Sequence, residues 1–151
     1  MLKNSSFTSE GIVGPFEVVA SHSHDEKMGK AREFHDHVLH VSLGFRALNE
    51  DGITIILNKE VENILRTSLQ QFFDSELDKT GMETMGRKLF VDIENTLPDL
   101  KTRLKETYGH LYDFQLQRTD ITVNYDGTLD HPNTPMTFVT TRPETSDNIP
   151  A

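Results

Sequence analysis

The chain has 151 residues, of which 35% are hydrophobic and 26% charged, the composition of one soluble globular domain able to bury a core unaided. Its formal net charge of −9, with no basic run, argues against nucleic-acid or anionic-membrane partners, both of which need clustered Lys and Arg. It contains no cysteine, which excludes disulfides, thiolate metal sites and thiol nucleophiles. The opening "MLKNSSFTSEG" lacks the apolar core of a signal peptide and no apolar run is long enough to span a membrane, so the expectation is a cytoplasmic protein.

In chain order, residues 1–13 read as a flexible N-terminus, 14–141 as one domain and 142–151 ("RPETSDNIPA") as a disordered tail. "GPFEVVASH" (14–22) alternates as a first strand, and the polar segment 23–33 reads as a loop. From His35 to Leu48 a long strand is expected. One face would carry His35, His37, Leu39, Val41, Leu43 and Phe45; the other would carry Asp36, Val38, His40, Ser42 and Arg46. "NEDG" (49–52) carries an Asp-Gly hairpin signal, with "ITIIL" (53–57) as the returning strand.

The period then changes. Val61, Ile64, Leu65, Leu69 and Phe72 recur at three and four residues behind Asn58, which predicts an amphipathic helix with an N-cap. Residues 78–88 read as a loop. A second helix is expected from about Asp92 to Thr107, with Pro98 either in a first turn capped by Thr96 or kinking a helix capped by Asp92. Residues 112–125 read as another strand and 136–141 as a short edge strand. The order predicts an α+β fold, an antiparallel sheet with two helices packed on one face.

Five of the seven histidines fall between His22 and His40. His35 and His37, at i and i+2 on a strand, point the same way and stand at the open end of an apolar face. His22 ends the preceding strand, and three neutral imidazoles with an open fourth position would make a catalytic-type zinc site. His24 shares a strand face with His22, so either could be the third ligand. An H-x-H pair is also ordinary polar surface, and such a cluster can bind metal adventitiously.

"FEVVASH…EFHDHVLHVSL" resembles the 6-pyruvoyltetrahydropterin synthase and 6-carboxytetrahydropterin synthase family. Its members carry "F-x-F-x-A-A-H" on one strand and "L-H-G-H" opening the next, and His22, His35 and His37 fall on its three zinc ligands. "ELD" follows near the family's "LDH", "DIEN" stands at its "P-T-x-E-N", and "LQRTDITV" stands where a strand carries its "E-T". The resemblance covers roughly residues 14–126. It implies a T-fold, zinc as cofactor, a pterin-like small-molecule substrate, and subunits that close a barrel as trimers stacked into hexamers with sites at their interfaces.

The departures bear on chemistry. Ala31 stands at the family's usual cysteine. The histidine of "LDH" becomes Lys79, or Ser75 if "FDS" is aligned instead. Arg118 stands at the glutamate that grips the pterin's N–H groups, and a guanidinium only donates. One reading is a zinc-dependent lyase-type enzyme. Glu33, two residues before His35, would then be its base and Asp78 a partner carboxylate. Arg118 and Thr119 would bind the substrate, Arg118 suiting a carboxylate or phosphate. A second reading is a non-catalytic metal-binding relative acting as a binding or regulatory protein. In either, a neighbouring subunit could lend a missing group from His40, His110 or His131. A third reading, a cupin-like metal protein, rests on Gly29 and "HDH" matching "G-x5-H-x-H", but the match fails at Val41 and Ser42, where a glutamate is expected.

Overall fold

A computed structural model describes residues 8–22, 35–75, 77, 80–125 and 134–143, with the side chains at positions 22, 35, 36, 124, 125 and 134 outside the description. Four strands, β1 (Glu10–His22), β2 (His35–Ala47), β3 (Phe114–Tyr125) and β4 (Thr134–Thr141), form one antiparallel sheet in the order β1-β2-β3-β4. Helices α1 (Lys59–Asp74) and α2 (Met82–Tyr108) pack on one face, α1 against β1 and α2 against β3 and β4.

The alternation read from β2 is the alternation observed. Leu39, Val41, Leu43 and Phe45 are buried under the helices, while Val38 and His40 lie exposed on the other face. Phe16, Val18 and Ala20 of β1 and Ile121 and Val123 of β3 complete that core layer. The β1 strand begins at Glu10, four residues earlier than the alternation alone suggests. Those residues pair with β2 across a bulge between Val13 and Phe16. The tail from 144 onward lies outside the described residues.

Two local expectations are corrected. "ITIIL" is not a returning strand: Thr54–Leu57 form a 3-10 turn, with Ile56 and Asn58 N–H groups donating three residues back at 3.0 and 2.9 Å. Both long edges of β2 are already taken, by β1 and β3, so no hairpin partner can dock there. Ile55 and Ile56 are adjacent and both buried, which a turn allows and a strand on a one-sided sheet does not. Gly52 is buried, and a Cβ there would meet the Asp113 carbonyl oxygen at 2.2 Å, so the "NEDG" turn is a packing contact and not a hairpin.

The second correction concerns α2, which starts at Met82 and runs through Pro98 without ending. Met82, Met85, Leu89, Ile93, Leu97, Leu100 and Leu104 form one continuous buried stripe. Burial of about 1.5–3 kcal/mol per large apolar side chain outweighs the ~3 kcal/mol penalty of an interior proline. The Asn58 cap is as expected: its side chain accepts from the Glu60 N–H at 2.8 Å.

A cupin is excluded by this architecture, because one face of a single four-stranded sheet is occupied by two helices.

Candidate functional site

The pairing of β1 with β2 decides where the histidines meet. His22 is the direct cross-strand partner of His35, and His37 is opposite Ala20. Ala20 is fully buried on the helix-covered face, so alternation assigns positions 22, 35 and 37 to that same face, at the end of the sheet. Directly opposed positions have Cβ atoms about 4.5–5.5 Å apart, and i, i+2 positions repeat every 6.5–7 Å or so. Among the described side chains no group of three His, Asp or Glu lies together; those at 22 and 35 are not among them.

Helix α1 leads toward that end. Ile53, just before α1, would touch a Cβ on Gly11 at 3.2 Å, and the Arg66 guanidinium lies 4.9 Å from the Phe16 ring centre. Helix α1 therefore runs along β1 from the position of Gly11 toward that of His22. From Arg66 to Asp74 the helix rises about 12 Å, against about 20 Å from Phe16 to His22. Its C-terminal turn points toward the histidine end, and beyond it Leu77 and Thr80 are buried.

The other residues read from the sequence are scattered. Glu33, Asp78, His24 and His131 lie outside the described residues. Thr119 is fully buried on the helix-covered face, where its hydroxyl reaches the Gly86 carbonyl of α2 at 3.4 Å. Arg118 lies on the opposite, helix-free face with its guanidinium 3.0 Å from an Asp120 carboxylate oxygen. Its stem crosses Gly44, where a Cβ would come within 2.9 Å of Arg118 Cγ. The second Asp120 oxygen is buried with no hydrogen-bond partner. Since Thr119 pairs with Leu43, six residues beyond His37, about 20 Å separates the Arg118–Thr119 pair from the histidines within one chain. His40 is 3.9 Å from Glu17 on the helix-free face, and His110 stacks edge-on against Tyr112 at 4.6 Å. His40 is on the opposite face from His37, and His110 follows the end of α2.

Two further groups have roles the sequence did not announce. Arg142, just past β4, bonds the Leu116 carbonyl at 2.9 Å and pairs with Glu94 of α2, tying the last strand to the helix. Asp92, in a cleft of about 450 Å³ with Phe72, Lys88 and Asn95, has its carboxyl pKa raised above the usual 3.8 by burial.

The architecture, a four-stranded antiparallel sheet with two helices on one face, defines the T-fold class. The chain has the fold of 6-pyruvoyltetrahydropterin synthase. It is similar to that enzyme from Plasmodium vivax, solved as a variant with its catalytic glutamate replaced by alanine. The TM-score is 0.52 at 15% identity, covering 90% of this chain and 99% of that one. It is also similar to the Plasmodium falciparum 6-pyruvoyl tetrahydropterin synthase, with a TM-score of 0.49 at 11% identity over 89% and 99% of the two chains. No protein-family model and no curated protein matches the sequence. At these identities the likeness is one of fold.

Proposed function

We propose that the chain is a zinc-dependent lyase-type enzyme of the 6-pyruvoyl/6-carboxytetrahydropterin synthase kind, acting in the cytoplasm on a pterin or related heterocycle. One observation carries the reading. The register sets His22 opposite His35, with His37 next on the same helix-covered face. Three imidazole donors fit zinc, and zinc held by His22, His35 and His37 would supply a Lewis acid to polarise a substrate oxygen.

The residues' roles rest on their places in the sequence and on the resemblance. Glu33, on the chain entering β2, serves as the base that takes a substrate proton, and Asp78 supplies the partner carboxylate. The similar Plasmodium vivax enzyme, whose catalytic residue is a glutamate, supports a carboxylate in place of the usual cysteine. Arg118 anchors a carboxylate or phosphate on the substrate, with Thr119 holding β3 against α2. Since Arg118 is on the far face and about 20 Å from the histidines, it belongs to the site of an adjacent copy. The open edges of β1 and β4 give the subunit a reason to close a ring, as a hexamer in the family pattern.

A non-catalytic metal-binding relative is favoured by the Arg118–Asp120 ion pair, which already occupies the guanidinium standing at the family's pterin anchor.

The test is metal content of the purified, tag-free protein beside a His35→Ala/His37→Ala double variant. About one zinc per chain, lost in the variant, is the expected result; an unmetallated wild type after zinc is offered refutes the site. Turnover of a pterin panel that disappears in Glu33→Gln with zinc retained then selects the enzyme, and pterin binding without turnover selects the relative.

A further inference from the structure

Helix α2 turns one stripe to the sheet and another outward. Met85, Leu89 and Ile93 are buried, while Arg87, Lys88, Val91 and Asn95 are exposed on the other side, recurring at three and four residues. With Thr84 and Asp92, and with Phe72 from the last turns of α1, these outward residues line a cleft of about 450 Å³. That volume is in the lower part of the range for small-molecule sites. None of the residues given a role above in metal or substrate binding lines it.

Charge says what fits it. In this chain of net charge −9, Arg46, Arg66, Arg118 and Arg142 each pair with a carboxylate. Arg87 instead donates to the Thr84 hydroxyl, at 3.2 Å. Lys88 stands one turn before Asp92, yet among the described residues the two form no ion pair. Burial raises the Asp92 carboxyl pKa, which a cation held against it would oppose. Two adjacent cations therefore keep donors for a group from outside the chain, and together they suit a doubly charged phosphate better than one carboxylate. The cleft is also graded along the helix. Thr84 is in the first turn of α2, where the helix dipole favours negative charge, and Arg87 and Lys88 follow. Phe72 and the exposed Val91 give an apolar middle. Asp92 and Asn95 then offer a carboxylate acceptor and an amide that both donates and accepts. From Thr84 to Asn95 the helix rises about 16 Å, room for an elongated molecule and more than a phosphate alone fills.

We propose that this cleft binds a phosphate ester of a planar ring carrying N–H groups, a nucleoside monophosphate in the simplest case. Arg87 and Lys88 hold the phosphate, the ring lies on Phe72 and Val91, and its N–H edge meets Asp92 and Asn95. The cleft is on the side of α2 turned away from the sheet, so the ligand is independent of the zinc reading.

The experiment is isothermal titration calorimetry of the full chain at low salt with adenosine, guanosine and cytidine monophosphates, beside the matching nucleosides and inorganic phosphate. At least one monophosphate should bind once per chain, with its nucleoside and inorganic phosphate each roughly 10-fold weaker or more. Arg87→Gln/Lys88→Gln changes two exposed side chains, so the melting temperature should hold while nucleotide affinity falls about 10-fold or more. Val91→Glu, which puts a carboxylate into the apolar middle, should weaken binding independently. His35→Ala/His37→Ala should leave it unchanged, and a loss there would assign the nucleotide to the histidines and overturn the proposal. Failure of all three monophosphates to bind also overturns it. So does an affinity that Arg87→Gln/Lys88→Gln does not move, or inorganic phosphate binding as tightly as the nucleotides.

Discussion

At Gly86 α2 packs tightly against the sheet, and adding one methyl group there tests how the helix layer is seated. A Cβ at position 86 would lie 2.5 Å from Thr140 Oγ1 on β4, with Thr140 Cβ next at 3.7 Å. Two effects oppose. Alanine gains about 0.8–1 kcal/mol over glycine in a helix interior. Forcing a methyl into a filled contact costs about 1–3 kcal/mol, and the β-branched Thr140 has few rotamers in which to move away. Gly86→Ala should therefore destabilise the protein by about 1 kcal/mol net, or roughly 2–4 °C in Tm for a chain of this size.

In a Thr140→Ala background the clashing oxygen is gone and the remaining contact is ordinary, so the sign should reverse. Gly86→Ala should then stabilise by about 0.8–1 kcal/mol, giving a coupling of about 2 kcal/mol. Urea denaturation of the four proteins, followed by far-ultraviolet circular dichroism, measures the cycle. The same change in stability in both backgrounds would refute the reasoning, because the loss could then not come from Thr140.

Two more predictions follow from single groups. Asn58 both caps α1 through the Glu60 N–H and donates to Tyr108, so Asn58→Ala should cost about 1 kcal/mol, and Asn58→Asp, which keeps the acceptor, clearly less; equal losses would show that the cap contributes nothing. For Asp92 the folded-state pKa is raised by burial, so the folded protein holds that proton more tightly than the unfolded chain. Ionisation there disfavours the fold above the raised pKa, and that penalty is relieved as pH falls through it. Asp92→Asn should accordingly raise Tm at neutral pH, with the advantage shrinking in acid; an advantage independent of pH would rule out the carboxylate as its source.

Much of the architecture was legible because it rests on short-range periodicity. The alternation from Leu39 to Phe45 and the three-four spacing from Val61 to Leu69 each assign a buried face without reference to any distant residue. Asn58 as a cap and the H-x-H spacing of His35 and His37 are equally local. The errors arose where neighbours in space outvoted the local pattern. Ile53 to Leu57 have the composition of a strand, but β2 was already paired on both sides. Pro98 and Gly86 argue against a long helix, yet the stripe from Met82 to Leu104 had a sheet to cover.

The site divides the same way. The residue types and spacings by themselves determined that His35 and His37 stand at i and i+2 at the start of a strand, with His22 ending the strand before it. Only tertiary structure decided that His22 stands opposite His35, since register is a property of two strands and appears in neither alone. It also decided which face of the sheet the helices cover, so that Thr119 is buried under α2 while its neighbour Arg118 looks out from the free side.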